Sequence, residues 1–390
     1  MTQHSSKSYG IGVDIGTTTV GMALVDKTTG AILAETGFLN PQKQHGADVV
    51  SRIRYGSTKE GAKELGLAIK RALFDGIQQL IQNNDEKVEI TEIVISANTA
   101  MEYLLLERIT KELGEHPFTM QNVGFRELLF VDVFEEFITE EMTSFDLLKH
   151  CKLILIPCIS TFVGGDITSG LYYLGFTKQE EVNLLLDLGT NGEMVISGEN
   201  GFFATSVPAG PAFEASIRGR GRRGTTLIEW IARARCRGQL LASGALAKRY
   251  EKTGIPLEDD VVLTQDVLRK IQLAKGAVMA SIALLIQQYG ISAKDVQSIY
   301  LAGSFGFHLD IQSAILIGML PKEFQGKIKV VGNTSLKGAI ACLSDQNRKE
   351  RLEAMTNQVQ SFNLANTKEF GQLFMEHMNF CTMSIDTKEK

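Results

Sequence analysis

The chain has 390 residues, 44% hydrophobic and 22% charged, which is enough apolar material for a large core without disulfides or a structural metal. Its 40 basic and 45 acidic residues give a net charge of −5, which argues against a general nucleic-acid or membrane-surface binder. The 37 glycines against 7 prolines exclude a collagen-like repeat and suit an α/β protein with many tight, backbone-exposing turns.

Residues 1–7 read as a polar tail with no apolar signal-peptide run. YGIGVDIGTTTVGMALVD then reads as strand, tight turn and strand. Residues 60–84 carry 3.6-periodic Leu and Ile, predicting an amphipathic helix. VEITEIVISANTAMEYLLL follows as strand, Asn turn and helix, and residues 151–176 as buried strand, glycine turn and helix. VNLLLDLGTNGEMVISGENGFFATS repeats the strand–turn–strand pattern, and residues 266–289 form a long helix. VQSIYLAGSFGFHLDIQSAILIGML and KIKVVGNTSLKGAIACL each read as strand, turn and helix. Residues 351–378 are expected to be largely helical, with Val359, Phe362, Leu364, Phe370, Phe374 and Met378 as the apolar set. The longest apolar stretches, such as VMASIALLI, are shorter than the roughly 20 residues of a membrane span.

The five cysteines (Cys151, Cys158, Cys236, Cys342, Cys381) fit no zinc or iron–sulfur spacing and read as free thiols in a reducing cytoplasm. The six histidines (His4, His45, His116, His150, His308, His377) show no ligand spacing either. The segments RGRGRRG (218–224) and ARARCRG (232–238) read as a solvated basic loop rather than a nucleic-acid site, because no stacking aromatics interleave. Asn40, Gln42, Asp48, Arg52 and Arg54 are too polar and dense for a core element, so they are expected either to line the partner-facing or cleft-facing side of the first lobe or to belong to an N-capped surface helix.

One weak internal duplication organises these elements. VDIGTTTV (13–20) aligns with LDLGTNGE (186–193), each an apolar residue followed by Asp-x-Gly-Thr at a sharp strand turn. Two similar α/β halves, each opening with such a hairpin, predict two lobes with a cleft between them. A nucleotide triphosphate needs donors, a divalent cation and closely approaching backbone. Gly16 and Gly189 clear the side chain from each turn, so that backbone N–H groups can form an anion nest. Thr17, Thr18 and Thr190 add hydroxyls, with Asn191 completing the second turn. Asp14 and Asp187 are expected to hold Mg²⁺ through water.

The motifs VDIGTTT, LDLGTNGE and LAGSFG resemble, in order and spacing, the phosphate-1, phosphate-2 and adenosine motifs of the acetate and sugar kinase, heat-shock chaperone and actin superfamily. NPQKQHGADVVSRIRYG, ISANTAMEYLLL, PCISTFVGGDITSG, VPAGPAFEAS and YLAGSFGFHLDIQSAILIGMLP are similar to one branch, the ATPase domain of reductive activators of corrinoid proteins. The resemblance covers residues 8 to about 350. It implies an α/β, two-lobed actin-like ATPase fold of duplicated ribonuclease H-like domains. The lobes are expected at 8–182 and 183–350, with C-terminal helices and a tail at 351–390.

The resemblance also implies ATP and Mg²⁺ as ligands and a corrinoid protein of a methyltransferase system as partner, reduced from Co(II) to Co(I). Known members carry iron–sulfur cysteines in a further, ferredoxin-like domain. With seven residues before the first strand, no cluster is expected in this chain, and a separate ferredoxin-like donor is. A homodimer is left open. By the same resemblance Gly210 and Glu214 fall where the nucleoside is contacted. Gly303 and Gly306 let adenine lie on bare backbone flanked by Ser304 or Phe305. Asp166, between a buried strand and a helix, is the candidate for orienting the attacking water, with Glu193 as the substitute. A small-molecule kinase and a nucleotide-switched scaffold remain alternatives on the same frame.

Overall fold

The computed structural model describes residues 8–82, 89–137, 148–176, 180–189, 191–207, 224–257 and 261–381. The chain divides into two units: residues 1–177 with 333–361, and residues 178–332 with 362–390. Residues 333–350, expected at the end of the second lobe, therefore sit in the first unit. The reason is packing, because the helix Thr334–Ser344 lies on strands of the first sheet and on the helix Gly165–Leu174.

The sheet of the first unit contains β1 (Tyr9–Ile15), β2 (Thr19–Asp26), β3 (Ile32–Leu39), β4 (Ile90–Ala97), β5 (Arg126–Leu129) and β6 (Lys152–Leu155), in the order β3-β2-β1-β4-β6-β5. β1 to β3 form an antiparallel meander, and β4 runs parallel to β1. Side chains alternate across the sheet. Ile11, Val13 and Ile15 join Ile93, Ile95, Leu153 and Leu155 in one core with the helix Lys59–Gln82. Val94, Ile154 and Ile156 face the opposite layer with Ala339, Cys342 and Leu343.

On β1 the residues that face this second layer are Gly10, Gly12 and Asp14. A β-carbon at Gly10 would meet Leu343, and one at Gly12 would lie 2.8 Å from Ile340. The two glycines let the helix Thr334–Ser344 rest directly on the strand. The helix runs back along β1, so its N-terminus arrives at Asp14.

The second unit repeats the plan. β7 (Asn183–Leu188), β8 (Gly192–Gly198) and β9 (Gly201–Val207) form a meander, and β12 (Ser298–Ala302) and β13 (Ile328–Gly332) add in parallel beside β7. A two-stranded hairpin, β10 (Ile255–Pro256) with β11 (Val262–Leu263), lies outside this sheet. The helix Gln265–Tyr289 is long and apolar enough to cross a membrane by length and composition, yet 72% of its apolar window is buried inside the protein, where it forms the spine of the second core.

The run 351–378 is largely helical, as expected, but it is interrupted. It divides into the helix Arg348–Thr356, the strand Val359–Ser361, a 3₁₀ turn at Leu364–Asn366 and the helix Lys368–His377. Its apolar residues lack an unbroken 3.6 period, which is the physical reason. Phe362, Leu364, Phe370 and Phe374 pack on the second core.

Candidate functional site

Each unit carries one Asp-x-Gly-Thr turn at the same place in its sheet. In the first, Asp14 pairs across β1/β2 with Gly21 and beside β4 with Ser96. In the second, Asp187 pairs with Glu193 on β8 and with Ala302 on β12. The second turn is one residue shorter: Ile15 pairs with Val20, whereas Leu188 pairs with Gly192.

The first turn is held from three sides. Gly16 N–H donates to the Thr19 carbonyl at 3.0 Å, and a β-carbon at Gly16 would lie 2.7 Å from that oxygen. Asn40 donates through Nδ2 to the Gly16 carbonyl at 2.9 Å and through its backbone N–H to the Thr18 carbonyl at 2.9 Å. Asn98, the N-cap of the helix Thr99–Leu105, donates Nδ2 to Thr17 Oγ1 at 3.1 Å. The buried Thr17 hydroxyl thus accepts from Asn98. Thr18 is half-buried at the tip.

Asp14 accepts from Ser335 Oγ at 2.6 Å and from Asn333 Nδ2 at 2.7 Å. Burial pushes its carboxyl up, against the pull of those two hydrogen bonds. Asp166 lies near enough for Asp14 to act on it. Burial first, and then the Asp14 charge, drive its carboxyl up to about 7, while the Ile167 N–H at 2.9 Å opposes this. It sits in the first turn of the helix Gly165–Leu174, where Gly164 and Gly165 fit against the end of β4 and the Ile156 carbonyl. The structure thus brings Asp14 and Asp166 into one neighbourhood of the first unit.

In the second unit Gly189 N–H donates to the Asn191 carbonyl at 2.9 Å, closing the turn. Gly303 has φ of +83°, and a β-carbon there would lie 2.5 Å from Asp187 Oδ1 and 2.5 Å from the Leu188 carbonyl oxygen. Only glycine lets the end of β12 pass so close to the Asp187 carboxylate. A β-carbon at Gly306 would meet Leu301. Ser304 is exposed, and Phe305, on the short helix Gly303–Phe307, is 7% exposed and belongs to the core. Glu193 stands across from Asp187 on β8. Thr190, Gly210, Glu214 and most of the arginine-rich 218–224 segment lie outside the described residues.

The polar group at residues 40–54 divides: Asp48 caps a helix on which Arg54 is exposed, as the N-capped reading expected, while the other three residues turn inward. Asn40, Gln42 and Arg52 are each no more than 1% exposed. Asn40 caps the 3₁₀ turn Pro41–Gln44, and Asp48 caps the helix Val49–Tyr55 with a reciprocal Ser51 bond. Arg52 donates to the Gly46 carbonyl at 3.1 Å and reaches Gln42 Oε1 at 3.5 Å. These residues form a buried scaffold under the Gly16–Thr18 turn. Asn333 and Ser335 escaped the sequence reading, although Asn333 before TSLKGAIACL carried a helix-cap signal.

Within each unit the aspartate at the glycine turn presents hard carboxylate oxygens, a donor type that suits Mg²⁺ rather than a soft metal. Comparison with known proteins identifies the lineage. Residues 9–179 match the family model described as the RACo middle region, and residues 181–232 and 221–390 match the C-terminal domain of RACo, the ASKHA domain. The chain belongs to the RACo family. Corrinoid activation enzyme RamQ of Eubacterium limosum is 28% identical over 95% of this RACo-family chain and 70% of its own length. The Co(II) methylated amine-specific corrinoid protein reductase of Methanosarcina barkeri is 21% identical over 97% of the chain and 78% of its own. The solved structure of a reductive activator for corrinoid, iron-sulfur protein matches with a TM-score of 0.82 and 27% identity, over 97% of this chain and 67% of that one. The RACo fold seen here is the two-lobed actin-like ATPase fold.

Proposed function

We propose that this chain is an ATP-hydrolysing activator of a corrinoid protein of a methyltransferase system, driving the one-electron reduction of Co(II) to Co(I). The observation that carries the reading is the pair of in-register Asp-x-Gly-Thr turns within a RACo-family chain. The relatives named for corrinoid activation and for corrinoid protein reduction support the partner and the direction of the chemistry. In this reading Asp14 and Asp187 hold Mg²⁺ through water, and the Gly16–Thr18 and Gly189–Asn191 turns receive phosphate oxygens on backbone N–H groups and hydroxyls. Bound Mg²⁺ offsets charge on the phosphate oxygens. Asp166, whose carboxyl burial raises to about 7, serves in this reading to orient the attacking water. The electron comes, in this reading, from a separate ferredoxin-like donor.

The test is an anaerobic spectral assay for Co(I), mixing the protein with a Co(II) corrinoid protein, Mg-ATP and a reduced ferredoxin. ATP-dependent Co(I) formation that disappears in Asp14→Ala and Asp187→Ala supports the reading. Co(I) formation that is the same with and without ATP overturns it.

A further inference from the structure

We infer that Asn333 and Ser335 are positioning residues for Asp14, holding its carboxylate in the orientation that a hydrated divalent cation requires. The inference rests on the proposed binding and hydrolysis of Mg-ATP.

Both residues come from the N-terminus of the helix Thr334–Ser344, far along the chain from Asp14, and each serves one carboxylate oxygen. Asn333 Nδ2 donates to Oδ2 at 2.7 Å, and Ser335 Oγ donates to Oδ1 at 2.6 Å. The Asn333 amide has only one way to face. Its Oδ1 accepts from Leu336 N–H at 2.8 Å as the helix cap, so the NH₂ group is left to point at Asp14. Gly332, at φ of +72°, makes the turn that delivers Asn333 there.

Ser335 is fixed with equal economy. Its carbonyl accepts from Ser169 Oγ at 2.7 Å, and its hydroxyl lies 2.8 Å from Ser96 Oγ. A serine hydroxyl has one proton. Ser335 commits that proton to Asp14, so Ser96 is the donor in the pair. Each Asp14 oxygen is thereby tied by one bond on the protein side and retains a lone pair for a cation-bound water. Asn333 and Ser335 touch neither nucleotide nor cation in this arrangement, because they act through Asp14.

The test separates the cap from the donor. Asn333→Ser and Asn333→Thr keep a capping oxygen but lack the amide N–H that reaches Asp14. Ser335→Ala removes the second donor and leaves Ser96 the Gly165 carbonyl, at 3.3 Å, to bond. Three quantities are measured: the melting temperature of the nucleotide-free protein, the Mg²⁺ midpoint of its thermal stabilisation by ATP, and the Mg²⁺ midpoint of hydrolysis. The expected result for Asn333→Ser is a nucleotide-free melting temperature close to wild type with both Mg²⁺ midpoints raised about tenfold, the size of effect that follows loss of a hydrogen bond to a charged group. Ser335→Ala shows the same pattern, and the double variant is worse than either. Unchanged Mg²⁺ midpoints in the cap-retaining variants overturn the inference. So does a fall in melting temperature that alone accounts for the lost activity in both Asn333 variants, which would assign Asn333 to the cap. A wild-type chain that neither binds nor hydrolyses Mg-ATP removes the functional reading itself, and this inference with it.

Discussion

Gly338 lies directly against Ser169: a β-carbon at Gly338 would be 2.1 Å from the Ser169 carbonyl oxygen. The helices Gly165–Leu174 and Thr334–Ser344 thus cross in backbone contact within the first unit. The obstructing atom is backbone and cannot swing away. Gly338→Ala is expected to destabilise the protein by about 2 kcal/mol or more, as overpacking of a tight core does. Denaturant unfolding measures it, and an unchanged midpoint refutes the close crossing.

Arg52 supports a second expectation. It is fully buried, Nη2 has no hydrogen-bond partner, and desolvation holds its pKa down to about 10 with only the Asp48 charge opposing. Arg52→Lys keeps a buried charge, concentrates it on a more strongly hydrated ammonium and loses the fork that spans Gly46 and Gln42. Arg52→Met removes the charge and leaves two acceptors unserved, at about 1–3 kcal/mol each. Arg52→Lys should therefore be the more destabilising of the two. The reverse order in urea unfolding would mean that the acceptors, not the desolvated charge, dominate this site.

Glu102 and Lys275 set opposite pH dependences. Burial raises the Glu102 carboxyl to about 7 against the pull of its Arg126 ion pair. The folded state then holds a proton that the unfolded state releases near its ordinary value of 4.5. The associated stability is complete below about 4.5 and is lost as pH rises through about 7, by a few kcal/mol. Glu102→Gln should flatten that slope in melts taken across pH 4 to 8; a slope identical to wild type would remove Glu102 as its source.

Lys275 behaves the other way. Its Nζ, 1% exposed as a residue, donates to the carbonyls of His377 and Asn379, and burial lowers it to about 8. Its contribution is full above its ordinary 10.5 and is lost as pH falls through about 8. Lys275→Met should abolish any gain in stability between pH 8 and 10.5, and it should free the two carbonyls that the lysine ties down. Amide exchange in the helix Lys368–His377 would report that release. Exchange rates and a pH profile both equal to wild type would refute the assignment.

Strands β1, β2, β4, β6, β7, β8, β12 and β13, the two long helices and the duplicated turns were legible because each has a local signature: alternation, a 3.6 period, or a glycine after an aspartate; β3, β5 and β9 went unread. Lys59–Gln82 and Gln265–Tyr289 fall within a few residues of their predicted spans. The burial of Arg52 and Gln42 was not legible, because polarity predicts exposure only while no acceptor awaits inside, and the Gly46 carbonyl and Leu65 carbonyl are such acceptors. Asn333 and Ser335 could not be tied to Asp14, since the contact spans more than 300 residues and depends on Gly10 and Gly12 letting a helix settle on a strand.

Neither unit is one uninterrupted stretch of chain. The polypeptide leaves the first unit after residue 177, returns at 333 and departs again after 361. No single cut can therefore release either half whole. A fragment ending at residue 332 lacks the helix that bonds Asp14, and one beginning at 178 carries that helix without the strand it rests on. The aspartate and its two donors must be inherited, expressed and lost together, so a gene fusion or a domain swap at the midpoint of this chain would divide the site from its own support.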